Sequence, residues 1–457
     1  MTADAAVEDR AALGAHRSWE VWRLALPIIG AMSSQNVLNL VDTAMVSRVG
    51  PAALAGVGLG SFLHFMAFST ITGLSAAVQA TAARRCGEGR YSESAVPLNG
   101  GILLSLAIGI PLSLVLFLAA PWIFGRLNHD PEVVRQGSEY LQCRLLGVAA
   151  VGINFSFRGY WSAVKRTTYY LCTLGGMCAL NIALDWVLIF GHLGAPALGA
   201  RGAGLANLIS TLCGSLAYCS LAWFQARDAG FFARLPEPAE LRSLLRLGLP
   251  TCLQQLLFST GFVVLFWIIG HIGTAELAVT NVLVNITLTA ILPGMGFGLA
   301  AATFCGQALG RHEPEDAYRW AWDVFRASWW VYAGMALPML LLTDAVLGMF
   351  FGHDTQTTAQ LTGIGRLPLR LIGLGVTLDG LGFILMQALL GVGASRPVML
   401  VSVGLQWGLF LPLAYLLGVA LSLGLTPIWG AMTTYRAAQT LILISLWRGR
   451  RWARIKV

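Results

Sequence analysis

Apolar residues in this chain come in long unbroken runs, not in the short alternating or amphipathic blocks of a soluble domain. Short polar punctuation separates the runs, as in Arg84-Arg-Cys-Gly-Glu-Gly-Arg90, Asn128-His-Asp-Pro131 and Pro236-Glu-Pro238. A run of about 18 or more apolar residues can cross the hydrocarbon layer as a helix, because a helix satisfies its own backbone hydrogen bonds where water cannot. The pattern predicts an all-α integral membrane protein with twelve spans, near 24–47, 52–81, 95–119, 137–160, 168–191, 201–225, 247–270, 276–306, 323–349, 363–391, 397–420 and 426–447. An even count puts both termini on one side of the membrane.

Lysine and arginine indicate which side. The loops that share a side with the N-terminus, together with the tail, hold 20 of them, and the opposite loops hold five: Arg48, Arg126, Arg135, Arg201 and Arg366. By the positive-inside rule both termini face the cytoplasm, in a multi-pass protein of the inner membrane. Five more basic residues, Arg144, Arg158, Arg326, Arg370 and Arg436, fall inside predicted spans.

The runs also repeat. Leu24-Ala-Leu-Pro27 lies over Leu247-Gly-Leu-Pro250 at an offset of 223, and Gly50, Gly73 and Gly87 lie over Gly273, Gly296 and Gly310. Farther on, Arg144-Leu-Leu-Gly147 matches Arg370-Leu-Ile-Gly373 at an offset of 226. Halves separated by an even number of spans share an orientation, so they are parallel repeats. The expected organisation is a cytoplasmic segment 1–23, an N-lobe 24–225 of six helices, a cytoplasmic linker 226–246, a C-lobe 247–447 of six helices, and a basic tail 448–457. Two such lobes with a central cleft suit alternating access.

Composition narrows the function classes. The chain is 56% hydrophobic and 11% charged, against about 25% charged in soluble domains. The net charge of +8 sits at loop mouths and forms no recognised nucleic-acid module, so no nucleic-acid partner is expected. The eight cysteines show no C-x-x-C and no metal-ligand spacing. Residues 1–23 lack a cleavable signal, so the first span reads as an uncleaved start. No span end gathers the His, Asp or Ser cluster that a membrane enzyme needs, so no catalytic residues, cofactor or enzyme activity are expected.

Charges inside spans are costly, which makes each a candidate. Asp42 lies in span 1, Asn181 and Asp185 share one face of span 5, and Asn207 lies early in span 6. Each sits about six residues from the outer end of its span, roughly 9 Å deep. Equal depth on three helices of one lobe is what a shared site requires. Two carboxylates with amide oxygens form a hard-oxygen set that suits H⁺ or Na⁺, with Na⁺ at Asp42, Asn181 and Asp185. The alternative is that each side chain caps a helix end or bonds locally. Asp379 in span 10 is the deep acid of the second half. Its alternative role is an ion pair with an arginine such as Arg436. Gln35 lies two turns from Asp42 and can face the cleft with Asp379, whereas His64 of span 2 reads more simply as a core residue. Pro27 and Pro250 occupy matching places, and Pro293 with Gly294 is expected to interrupt span 8. Each of the three prolines can kink its helix, as a fixed bend or a hinge.

These residues carry a resemblance. Leu24–Pro27, the Val41-Asp-Thr-Ala-Met45 run with Gly50, Asn181 with Asp185, and Gly202-Ala-Gly-Leu-Ala206 resemble the multidrug and toxic compound extrusion (MATE) family over almost the full chain, and its DinF-type branch in detail. The resemblance implies export of organic cations or other amphipathic compounds driven by inward H⁺ or Na⁺. It implies a cation site at Asp42, Asn181 and Asp185, with Asn207 where the branch has a threonine, and a bending proline at Pro27. Other branches carry a second site with acids in spans 7 and 10. Asp379 matches the second of these, and the span 7 position near Phe258 or Ser259 has no acid. The expected partners are the lipid bilayer and a small cationic, amphipathic substrate, with the protein acting as a monomer. The competing reading is a flippase or exporter of lipid-linked saccharides or another lipid-like substrate.

Overall fold

A computed structural model describes residues 3–351 and 355–455, and the described residues form helices joined by short turns, with no strand among them. In order these are α1 (Ala3–Ser47), α2 (Pro51–Gly87), α3 (Val96–Leu127), α4 (Pro131–Leu145), α5 (Val148–Ala163), α6 (Thr167–Phe190), α7 (Ala200–Gln225), α8 (Pro238–Gly270), α9 (Thr274–Gly310), α10 (Pro314–Leu341), α11 (Thr343–Gly348), α12 (Thr355–Gly391), α13 (Ser395–Leu405), α14 (Leu411–Tyr415) and α15 (Leu425–Arg448). Every expected span falls on a helix or a joined pair. Among the described residues nine helices are long and apolar enough to cross a membrane, and a tenth crossing comes from α4 with α5. The remaining two of the twelve, α10 and α15, are the expected spans 9 and 12; α10 carries Glu315, Asp316, Arg319, Asp323 and Arg326.

Three details differ from the expectation. Span 4 is not one straight helix: α4 and α5 meet at 48° across Leu146 and Gly147. Span 8 is not interrupted, because α9 runs through Pro293 as α1 runs through Pro27 and α8 through Pro250. A proline withdraws one backbone donor and leaves the flanking hydrogen bonds to carry the helix. Span 11 contains two π-turns, Gln406–Phe410 and Leu416–Ala420, around α14.

The duplication shows in element lengths. Both α2 and α9 have 37 residues, and their boundaries differ by 223 at either end. The described residues divide into two compact units, residues 26–255, and residues 3–25 with 256–351 and 355–455. In the first unit, α2 packs on α4 and α5, and α4 and α6 both pack on α7. Gly56 and Gly60 of α2 let α4 approach: a Cβ at Gly56 would lie 2.9 Å from the Gly137 nitrogen, and one at Gly60 2.7 Å from the Tyr140 ring. Small residues four apart serve this purpose in membrane helices, where close backbone contact replaces hydrophobic drive. The stretch after α7 is held to α3 by Asn99, which donates to the Gly230 and Arg234 carbonyls at 2.9 Å and accepts from the Phe232 amide at 3.2 Å. The second unit has a continuous apolar core through α8, α9, α12, α14 and α15, with Trp429, Phe410 and Tyr435 among its large side chains.

Candidate functional site

The site builds from α6. Asn181 and Asp185 are one turn apart on its buried face, each 1% exposed. Asp42, half-buried on α1, brings its carboxyl against that of Asp185. Oδ1 of Asp42, both carboxyl oxygens of Asp185 and both side-chain polar atoms of Asn181 are buried without a hydrogen-bond partner among the described residues. Two ionised carboxylates have no hydrogen to share, so the Asp42–Asp185 contact becomes a hydrogen bond once one acid holds a proton. Buried polar groups are almost always satisfied. A set of orphaned oxygens at two acids and an amide therefore fits a proton or a hard cation, and Asp42, Asp185 and the Asn181 carbonyl would hold it.

The third helix at the site is α4. Arg144, in its last turn, is the charged group opposite both acids and lies in electrostatic range of His64. Its Nη1 donates to the Tyr140 hydroxyl at 2.6 Å, and that hydroxyl also pairs with Ser61 at 2.8 Å. Arg144 Nε is buried and unpartnered, as is Nδ1 of His64. His64 itself is 2% exposed and packs against the Phe68 ring at 5.3 Å. Reasoning from the acids alone passed over Arg144, Tyr140 and Ser61. The signal was present, since Arg144 is a charge inside a span.

The remaining candidates are placed as follows. Asn207 is half-buried on α7, and no hydrogen bond joins its side chain to either acid. Gln35 is half-buried on α1. In the second unit Asp379 of α12 pairs with Arg436 of α15 at 3.4 Å, with side chains 22% and 10% exposed. That is the ion pair weighed as its alternative role. Asp379 also lines a cavity of about 10 Å³, with Thr287, Tyr332 and Phe383, which has room for about one water. On α8, where the resemblance sought another acid, the Leu257 and Phe258 carbonyls accept from Trp407 at 3.1 Å and from Gln406 at 3.2 Å.

Comparison with known proteins adds the ancestry. The MatE family model matches residues 27–187 and 250–416. A probable multidrug resistance protein, NorM, of Bradyrhizobium diazoefficiens is 29% identical over 429 residues, covering 90% of this chain and 88% of that protein. Multidrug resistance protein PmpM of Pseudomonas aeruginosa is 27% identical over 405 residues, covering 88% and 84%. Among solved structures, the outward-facing form of a multidrug resistance MATE family transporter of the MOP superfamily superposes with a TM-score of 0.86 at 22% identity, covering 96% of this chain and 97% of that one.

Proposed function

The chain belongs to the MatE family, and on that premise we propose that it is a cation-coupled antiporter that exports amphipathic organic cations across the inner membrane. It is a membrane transporter and not an enzyme. The observation that carries the finer reading is the Asp42–Asp185 pair with Asn181, buried and unsatisfied on α1 and α6. Such groups are expensive inside a membrane and are kept where they bind something. In this reading the pair takes up the driving cation, H⁺ or Na⁺, from outside, and cation and substrate alternate through the conformation of the lobes. Gln35 contributes to the substrate path, and Asn207 supports the cation site from α7. The multidrug names of the relatives support a broad range of substrates. The excess of Lys and Arg on one side supports cytoplasmic termini.

The test is transport of a fluorescent organic cation in proteoliposomes, with pH and Na⁺ gradients imposed separately. Asp42→Asn and Asp185→Asn are nearly isosteric and remove one charge each. Both variants should still bind substrate and fail to release it in response to the gradient. Export at the wild-type rate, with unchanged ion dependence, in both variants would remove this site from the mechanism.

A further inference from the structure

We propose that Arg448, Arg451 and Arg454, in the stretch that follows α15, form a binding platform for anionic phospholipid headgroups. The proposal goes beyond the transport reading and does not rest on its ion site. α15 ends at Arg448, and a short turn over Arg451–Arg454 follows. Between them Arg450 takes the left-handed backbone region, with φ of 53°, which a non-glycine residue seldom adopts and which turns the chain off the helix. Trp452 holds that turn in place. Its ring is 3% exposed, lies nearly parallel to the Trp447 ring at 4.3 Å, and donates from Nε1 to the Trp447 carbonyl at 2.9 Å. Trp447 is fully buried, stacks on Tyr318 of α10 at 6.4 Å and donates to the Tyr318 carbonyl at 3.4 Å. The stretch is therefore a built surface of the second unit.

The charge on this surface is unbalanced. Arg448, Arg451 and Arg454 are exposed, and the acids at this end of α10 are already taken. Glu313 pairs with Arg311, Glu315 with Arg450, Asp316 with Arg17 and Arg311, and Asp323 with Arg17 and Arg326. The repeated fold does not require these charges either. At an offset of 223 the first half has Gln225, Asp228 and Phe231 in their places, and at 226 it has Ala222, Gln225 and Asp228. The height also fits. α15 has 24 residues, about 36 Å at 1.5 Å per residue, against about 30 Å of hydrocarbon, so its last turn emerges among the headgroups. A guanidinium fork matches phosphate oxygens, and each arginine near an anionic lipid surface favours binding by about fivefold.

The test titrates the detergent-solubilised full chain with phosphatidylglycerol and, separately, with phosphatidylcholine, and counts bound lipid by native mass spectrometry. Wild type should prefer phosphatidylglycerol. Arg448→Gln, Arg451→Gln and Arg454→Gln should each lower its affinity about fivefold, and the triple variant should bind the two lipids alike. Trp452→Ala keeps every charge and should also lower the affinity, because the platform is no longer pinned. Arg227→Gln removes the same charge from the first unit and should leave the preference unchanged. Equal binding of the two lipids by wild type overturns the proposal without any variant. So does a folded triple variant that keeps the preference, a folded Trp452→Ala with wild-type affinity, or an equal loss in Arg227→Gln, which would make the effect one of net charge. Displacement of the lipid by inorganic phosphate at equal concentration would assign the surface to a free anion and overturn the lipid reading.

Discussion

Removing one partner of the Asp379–Arg436 pair should destabilise the protein far more than removing both. The two groups lie 3.4 Å apart, and both side chains are mostly buried, at 22% and 10% exposure. At an effective dielectric near 20, two opposite unit charges at that separation attract by about 5 kcal/mol. Much of that attraction offsets the cost of taking the charges out of water, so the pair adds little net stability, but a lone survivor keeps the full cost. Asp379→Asn strands the Arg436 guanidinium, leaving it the Phe383 ring face, 5.7 Å away, and Tyr435, neither of which carries a charge to balance it. Each single variant should lose about 3–5 kcal/mol, and Asp379→Asn/Arg436→Gln about 1 kcal/mol, a coupling of at least about 5 kcal/mol. For a unit of roughly 200 residues, 3 kcal/mol corresponds to about 6–12 °C in Tm. The assay is thermal unfolding of the four detergent-solubilised proteins at one scan rate, since membrane proteins seldom unfold reversibly. Gradient-driven export by the double variant is read in parallel. Single variants as stable as wild type, or a double variant as unstable as the sum of the singles, would refute the reasoning. Loss of export by a folded, stable double variant would place Asp379 in the transport cycle.

Two further perturbations probe what positions the N-terminal site. Asn99→Ala leaves the Gly230 and Arg234 carbonyls and the Phe232 amide unpaired, at about 1–3 kcal/mol for each group that stays buried. Limited proteolysis should then cut within 226–238 faster than in wild type, and an unchanged cutting rate would show that Asn99 does not hold the segment. Gly60→Leu drives a side chain into the Tyr140 ring, where even a Cβ would lie at 2.7 Å, and should cost about 1–3 kcal/mol along with the Tyr140–Arg144 bond. A Cβ at Gly58, an exposed position, meets nothing within 4 Å, so Gly58→Leu should be neutral in the same melting assay, and equal effects at the two glycines would contradict the packing argument.

The helices were legible because apolar runs of span length admit few other structures in lipid. The polar details were legible only where a residue type is costly enough to stand out. Asp42 and Asp185 could be matched by depth, since a carboxylate inside a span must have a reason. Arg144 stood inside a span as plainly, yet a list of arginines does not show which face of α4 each occupies. That depends on the bend at Leu146 and Gly147, where the Gly147 amide closes a tight turn on the Arg144 carbonyl at 3.0 Å. A bend made by i→i−3 bonding leaves no proline to announce it, and the prolines that were expected to break helices sit inside continuous ones. The π-turns of span 11 were hidden for the same reason. They follow from one extra residue per turn in an apolar stretch, and the first is tied to a segment distant in sequence by Gln406 and Trp407 reaching the Phe258 and Leu257 carbonyls.

The duplicated scaffold carries chemistry that is not duplicated. At the offset of 223, Asp42 corresponds to Leu265 and His64 to Thr287; at 226, Arg144 corresponds to Arg370. Leu265 is a core residue at 2% exposure, and Arg370 is exposed and, among the described residues, donates to the Thr343 hydroxyl alone, at 3.4 Å. The second half's own deep acid is already paired with Arg436, and its α8 carbonyls are already accepting hydrogen bonds. Among the described residues the buried carboxylate oxygens without a partner are those of Asp42 and Asp185, beside the unpartnered Asn181 amide, whereas the second half leaves only neutral oxygens such as the Thr280 and Tyr332 hydroxyls unpartnered. Binding needs groups whose partners are missing, whereas stability needs groups whose partners are present. A duplicated fold that concentrates the first kind in one half and the second kind in the other can bind its driving ion at a single place without leaving both halves short of stability. This division supports the proposed ion site in the N-terminal half on grounds independent of the family match. It also explains why substitution at Asp379 should register first as a change in melting temperature, and substitution at Asp185 first as a change in the response to an imposed gradient.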